Sequence, residues 1–296
     1  MSGPTPHWFL RAPDHLGDGV LTLPLAEAMA QRARLTVAAP AWGPHLFGHL
    51  GSVVPRGSVP VQASVAVLAK PAFRAAWEAR SIPRRIGWPT DHRRLGLTDV
   101  VRQTHAHRLD DLAALGGPLD LAVSGLPTLP TTPAGQPGIV LLPSSASGPP
   151  VEWPHYRELA DALALRGHPV RFAAGPGESA RLARVAGPHP MLPELSVTAI
   201  ARVFAAADAV VGNDSGLTHL AAAARRGAGR SVAAVVGIVG STDPARTGAP
   251  GATWCVGPRV SCAPCYAKRC HRALGCLDLP VHAVLQAVLD VIEAAP

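Results

Sequence analysis

The sequence predicts an α/β fold in two tandem domains, and three observations carry that expectation. Short runs rich in Val, Ile and Leu alternate along the chain with alanine- and leucine-rich segments of helical period, the mark of parallel strands covered by helices. The alternation breaks once, at Leu126-Pro127-Thr128-Leu129-Pro130-Thr131-Thr132-Pro133-Ala134-Gly135-Gln136-Pro137, which has the composition of a linker. Each half then carries one Gly/Asp turn between an apolar run and a helix-favouring one: Leu16-Gly17-Asp18-Gly19 in the first, Gly212-Asn213-Asp214-Ser215-Gly216 in the second. The expected domains are residues 1–130 and 138–296.

Taken in order, Trp8 to Pro13 reads as the first strand, followed by the turn around Gly17 and Asp18 and a helix over Leu25 to Arg34. Leu35–Ala39, Val53–Val54 and Val65–Leu68 read as strands, Phe73–Arg80 as a helix, and Ile82–Trp88 as a strand with a basic lead-in. Val101–Leu115 reads as a helix. Beyond the linker, Ile139–Leu142 is a strand ending in a Ser/Pro/Gly loop. Helix Tyr156–Arg166, strand Val170–Ala174, helix Ala180–Ala186 and helix Val197–Ala206 follow. Phe204–Val211 has the apolar character of a buried strand, and Leu220–Arg226 that of a helix. Ser231–Val239 reads as one more buried strand, and Val281–Ala294 as a terminal helix able to pack back on the first domain.

The stretch Val210 to Ala221 organises the second half. A strand, a tight Gly/Asn/Asp/Ser turn and a helix aim backbone N–H groups and the positive end of a helix dipole at one point, a seat suited to a diphosphate. Taken locally, the same residues read equally as a helix cap supplied by Asp214 or Ser215.

Composition narrows the partners. The formal charge is +7, carried almost wholly by arginine, with Lys70 and Lys268 the lone lysines. No basic run or aromatic–basic interleaving points to nucleic acid, so small phosphorylated substrates fit the charge better. No apolar run is long enough for a membrane span, and no signal segment opens the sequence; a cytoplasmic location is expected. The five cysteines, Cys255, Cys262, Cys265, Cys270 and Cys276, fall in the last fifth of the chain. Cys262-x2-Cys265-x4-Cys270-x5-Cys276 can be read as ligands of a structural zinc or iron, as buried free thiols, or as a disulfide formed in vitro.

The motifs together resemble a known family. Arg11-Ala12-Pro13 with Leu16-Gly17-Asp18, Phe73-Arg74 with Ile82-Pro83-Arg84-Arg85-Ile86-Gly87, and Gly148-Pro149 with Trp153-Pro154 are followed by Gly212–Leu217 with His219, then Thr242–Gly248. This ordered set is similar to the ADP-heptose:lipopolysaccharide heptosyltransferases (glycosyltransferase family 9), in particular to enzymes adding the second inner-core heptose. The resemblance implies a GT-B fold, two Rossmann-like domains facing across a cleft, with the acceptor mainly on the first and the donor on the second. It implies inverting transfer of heptose or a related sugar from a nucleoside diphosphate, ADP-heptose favoured, to a glycolipid or other glycan, with no cofactor in the chemistry. Contact with the inner membrane face is compatible with such an acceptor.

By the same resemblance Asp18 is the catalytic base, with helix capping as its structural alternative. Gly17 and Arg74 lie on the acceptor side, and Asp14 stands where relatives carry Asn. Ser144, Ser145, Ser147, Asp214, Ser215, Gly216, Leu217, Thr218, His219 and Arg246 are the expected donor contacts. In related autotransporter heptosyltransferases a four-cysteine finger binds iron, which is what the cysteine spacing here resembles. The sequence departs from the family at Val151, where a lysine otherwise neutralises the leaving diphosphate. Two further readings therefore stay open: another donor or acceptor on the same fold, as in natural-product or capsule assembly, and a catalytically weak sugar-nucleotide-binding homologue.

Overall fold

Each half of the chain folds as one all-parallel sheet, the outcome when most strands are uniformly apolar and buried on both faces. The computed structural model describes residues 5–145, 148, 152–175, 177–267 and 269–294. The chain divides into two units, Met1–Pro127 and Thr128–Pro296.

In the first unit the strands are β1 (His7–Arg11), β2 (Arg34–Ala39), β3 (Ser52–Pro55), β4 (Val65–Leu68), β5 (Arg84–Gly87) and β6 (Asp99–Val100), in the order β3-β2-β1-β4-β5-β6. After β1 the chain first builds outward through β2 and β3, then crosses to the other side of β1 at β4. The gap between the carboxyl ends of β1 and β4 is thus a switch point, where open parallel sheets hold ligands. The helices are α1 (Leu16–Leu21), α2 (Leu23–Ala30), α3 (Gly43–Phe47), α4 (Phe73–Glu78) and α5 (Arg108–Ala113). Gly19 is required where α1 meets Trp42: a Cβ there would stand 2.5 Å from the indole ring.

Arg93 is fully buried in this unit. It donates from Nε to the Trp88 carbonyl at 2.6 Å, from Nη2 to Leu68 at 3.3 Å, and from Nη1 to Lys70. Burial lowers its guanidinium to about 10, partly countered by Asp91. The charge is retained at neutral pH and satisfies the carbonyls where β4 and β5 end.

Two expectations need correction here. The helix expected over Val101–Leu115 begins only at Arg108, because His107 adopts extended backbone and its Nδ1 accepts the Leu109 N–H at 3.0 Å, which is a cap. Past Ala113 it tightens into a 3-10 turn that contains Pro118. The short strand β6 was not expected, since two residues carry no period.

The second unit orders β7 (Ile139–Leu142), β8 (Val170–Phe172), β9 (Ala209–Asn213), β10 (Val235–Val239) and β11 (Thr253–Val256) as β11-β10-β9-β7-β8. Helices α6 (Tyr156–Ala164), α7 (Ser179–Ala186), α8 (Val197–Ala206), α9 (Gly216–Gly227), α10 (Pro244–Thr247) and α11 (Val281–Glu293) connect or cover them. The apolar run from Phe204 splits: its first three residues finish α8, and the strand starts at Ala209. Arg225, fully buried, makes this break by donating to the carbonyls of Phe204 and Ala207 at the end of α8 and to Ser231 at 2.7 Å. The sequence left the terminal helix free to return to the first domain; its buried residues Val284, Leu285 and Val288 lie in this unit's own core, with Trp153, Tyr156 and Leu159.

Among the described residues no helix is long and apolar enough to cross a membrane.

Candidate functional site

The second unit also has a switch point, between β7 and β9. These strands pair in register, Leu142 opposite Gly212, so the loops that leave them start side by side. Asn213, completely buried, joins the two. Its Oδ1 accepts the Trp153 N–H at 3.0 Å and its Nδ2 donates to the Pro143 carbonyl at 2.8 Å. Gly212 is required beside it, because a Cβ would lie 2.7 Å from Thr218 Oγ1, which donates to the Asn213 carbonyl at 2.6 Å.

Asp214 is the hub of the second loop. Its carboxylate accepts from Thr242 Oγ1 at 2.6 Å and Thr247 Oγ1 at 3.5 Å, and lies 3.7 Å from His219 Nε2. It therefore ties the α9 turn to the loop after β10 and does not cap the helix. Nor does Ser215: it stands at the N-cap of α9 with no side-chain cap bond. Among the described residues Ser215 Oγ, His219 Nδ1 and Ser241 Oγ are buried without a hydrogen-bond partner. Buried polar atoms of that kind at a helix N-terminus are what an oxyanion-bearing ligand would satisfy. Gly216 and Leu217 form the first turn of α9, and Arg246 lies on α10, half-buried, on the neighbouring loop.

On the β7 side, Ser144 Oγ donates to Glu178 at 2.7 Å, and the Ser145 N–H to Glu152 at 2.8 Å. Glu152 in turn pairs with Arg181 of α7. Pro143, Ser144, Glu152, Trp153, Arg181 and Leu182 line a cavity of about 300 Å³. Ser147 and Val151 lie outside the described residues. Glu152, Glu178, Arg181, Thr242 and Thr247 were not anticipated as site residues; Asn213 was expected as part of the turn but not as the residue that joins the two loops, for which a polar residue ending an otherwise apolar strand was the available signal.

In the first unit, Asp18 sits in the first turn of α1 with its carboxylate 3.4 Å from Arg108 Nε, and α1 has no side-chain cap bond. The capping alternative for Asp18 is thus not what its side chain does. Arg108 also lies 4.7 Å over the Trp88 ring. Gly17 precedes Asp18 on the same turn. Close by in sequence, Asp14 pairs with Lys70 and Arg11, each at 2.8 Å, with Arg56 at 3.8 Å. Burial alone would raise the Asp14 carboxyl, but hydrogen bonds from Lys70 and Arg11 outweigh it and hold the group at about 2. Arg74 is almost fully exposed on α4 and pairs with Glu78 at 2.7 Å.

The cysteine segment packs against the loop after β10: the N–H groups of Cys265 and Tyr266 donate to the Ser241 carbonyl at 2.9 and 3.0 Å. All five thiols are free. Burial and the neighbouring Cys270 thiolate, then Cys265 and Cys262, push the Cys276 thiol up, while the backbone N–H groups of Arg272 and Leu274 pull exposed Cys270 down. Among the described residues, however, no three His, Cys, Asp or Glu side chains are grouped to hold a metal ion. The expected zinc or iron site on Cys262, Cys265, Cys270 and Cys276 thus gains no support.

Two Rossmann-like parallel units, one with a helix N-terminus and unpartnered polar atoms at its switch point, define the GT-B class of fold. The family model of glycosyltransferase family 9 (heptosyltransferase) matches residues 119–274, and the chain belongs to that family. It is 38% identical over 125 residues to lipopolysaccharide heptosyltransferase 1 of Pseudomonas aeruginosa, a match covering 40% of this chain and 33% of that protein. Similar solved structures include E. coli ADP-heptose lps heptosyltransferase II, with a TM-score of 0.74 and 20% identity, covering 97% of this chain and 98% of that one. E. coli heptosyltransferase WaaC with ADP also has a TM-score of 0.74, at 19% identity, covering 96% and 99%.

Proposed function

We propose that the chain is an inverting glycosyltransferase. It moves a heptose or related sugar from a nucleoside diphosphate, ADP-heptose favoured, to a lipopolysaccharide-core-like or other glycan acceptor, without a cofactor. The observation that carries this reading is the α9 turn, where buried Ser215 Oγ and His219 Nδ1 lack partners beside the N-terminus of a helix. Family membership and the donor named for the similar E. coli enzyme support ADP-heptose.

In this reading the second unit holds the donor. The first-turn N–H groups of α9 and the helix dipole stabilise the departing diphosphate, with Ser144 and Ser145 on the facing loop. Arg181, which lines the adjacent cavity, supplies the cation that the family lysine would have brought to position 151. The first unit holds the acceptor. Asp18 takes the proton of the acceptor hydroxyl as its oxygen bonds to the anomeric carbon and the bond from that carbon to the diphosphate breaks. Arg108 fixes the carboxylate for that transfer. In this reading the protein works in the cytoplasm, in contact with the inner membrane face.

The test has two parts. Thermal shifts with ADP, UDP, GDP and dTDP should single out ADP, and transfer from ADP-heptose should fall by about 10²–10⁴-fold in Asp18→Asn with ADP affinity unchanged. Full activity in that variant would remove Asp18 as the base. ADP binding without Asp18-dependent transfer would favour the reading that Val151 raises, a binding homologue with little catalysis.

A further inference from the structure

Three cations of the first unit converge on one carboxylate. Arg11 is the last residue of β1, Lys70 stands two residues beyond β4, and Arg56 follows β3, so the carboxyl ends of parallel strands deliver all of them. Asp14, two residues ahead of α1, receives them. Its Oδ1 takes Arg11 at 2.8 Å with Arg56 at 3.8 Å, and its Oδ2 takes Lys70 at 2.8 Å. Among the described residues Arg56 and Lys70 have no other ion-pair partner.

The Arg11 side chain is only 8% exposed. One of its terminal nitrogens is spent on the Ala12 carbonyl, and its Nε is buried without a hydrogen-bond partner. A guanidinium buried in this way is costly unless a negative charge sits against it. Lys70 and Arg56 are more open, at 28% and 56%. A buried guanidinium backed by two more accessible cations at the ends of parallel strands has the construction of an anion site. Here the anion is the chain's own. Burial would raise the Asp14 carboxyl, yet hydrogen bonds from Lys70 and Arg11 keep it ionised. A carboxylate or phosphate brought by a ligand would have to take over bonds already made and lie beside a like charge. A hydroxyl meets no such repulsion and can donate to the quarter-exposed Asp14.

We infer that Asp14 is a specificity-determining residue. It fills from within the chain the place of a ligand's anion among Arg11, Arg56 and Lys70, so this end of the sheet receives an uncharged, hydroxyl-bearing part of the acceptor and turns away a carboxylate or phosphate. That the ligand so selected is the acceptor rests on the proposed function; the self-filled anion site does not.

Calorimetric titration with inorganic phosphate, D-glucuronate and D-glucose, in the presence and absence of ADP, tests it. Asp14→Ala should bind phosphate and glucuronate at least about tenfold more tightly than the wild type, the return of one charge-assisted contact, while glucose separates the two chains by less than about twofold. Asp14→Asn, which keeps the shape and removes the charge, should shift in the same direction. Lys70→Gln added to Asp14→Ala should remove most of the gain, and formate should raise the melting temperature of Asp14→Ala but not of the wild type. Circular dichroism checks the fold, and if Asp14→Ala does not fold, Asp14→Asn carries the comparison. Equal phosphate and glucuronate affinities in the wild type and the variants, or a gain that survives Lys70→Gln, would overturn the inference. Failure of every chain to bind ADP would instead overturn the proposed function, and with it the acceptor assignment, while the phosphate comparison still decides whether Asp14 fills an anion site.

Discussion

Arg108 and Asp18 face each other across the first unit's α1 and α5, Nε 3.4 Å from Oδ1, with the same guanidinium 4.7 Å above the Trp88 ring. The stack fixes the cation, and the cation fixes the carboxylate. Removing the guanidinium leaves the carboxylate proposed as the base in place but free to turn. Arg108→Ala should therefore lower turnover by about 10²-fold, the usual cost of misplacing a reacting group, with donor affinity unchanged. Arg108→Lys keeps charge without the planar stack and should recover only part of the loss. Steady-state kinetics alongside ADP titration would show the split.

Arg181 is the cation of the cavity beside Ser144, held by Glu152. If it meets the diphosphate, Arg181→Ala should weaken ADP binding by about tenfold, as expected for a lost charge-assisted bond, and weaken AMP binding less. Adding Val151→Lys, the family's residue, should restore the ADP affinity. Calorimetric titration of the single and double variants measures both effects.

Asn213 carries three side-chain hydrogen bonds with no exposure to solvent. Asn213→Ala would leave the Trp153 N–H and the Pro143 carbonyl without that partner. A loss of about 2–4 kcal/mol in urea-unfolding free energy is expected, near the top of the range for a single polar deletion.

Asp14 links pH to stability. Its folded value of about 2 lies below the ordinary carboxylate range, so the unfolded chain binds the proton more readily. The contribution is present above about pH 4 and disappears as pH falls from there towards 2. Compared with Asp14→Asn, the wild type should hold an advantage of up to about 2 kcal/mol at neutral pH, closing over that window. Urea unfolding at stepped pH checks the sign.

The sequence showed the two parallel units because their strands are plain: Val65–Leu68 and Ile139–Leu142 are bounded as their apolar runs suggest. It showed the Gly212–Leu217 turn because glycine, a short polar residue and an alanine-rich helix are all local signals. It did not show what joins the elements. Arg108 is ninety positions from Asp18, and Arg181 is twenty-nine from Glu152. No period or propensity links such residues; only the crossover at each switch point does. Thr242 and Thr247 escaped for the same reason, since their partner Asp214 lies on the preceding strand's loop. The strand at Thr253–Val256 was hidden by its length and by Trp254 and Cys255, which do not alternate with polar neighbours.

One buried guanidinium underlies both carboxylates of the first unit's opening turn. Arg93 grips the carbonyl of Lys70, whose ammonium meets Asp14, and the carbonyl of Trp88, whose ring carries the arginine that meets Asp18. The two acidic positions therefore share one anchor. If the proposed function holds, a chain that lost Arg93 would look like a folding variant in a melting curve and like an active-site variant in an assay, although its hydrogen bonds go to carbonyls and not to either carboxylate.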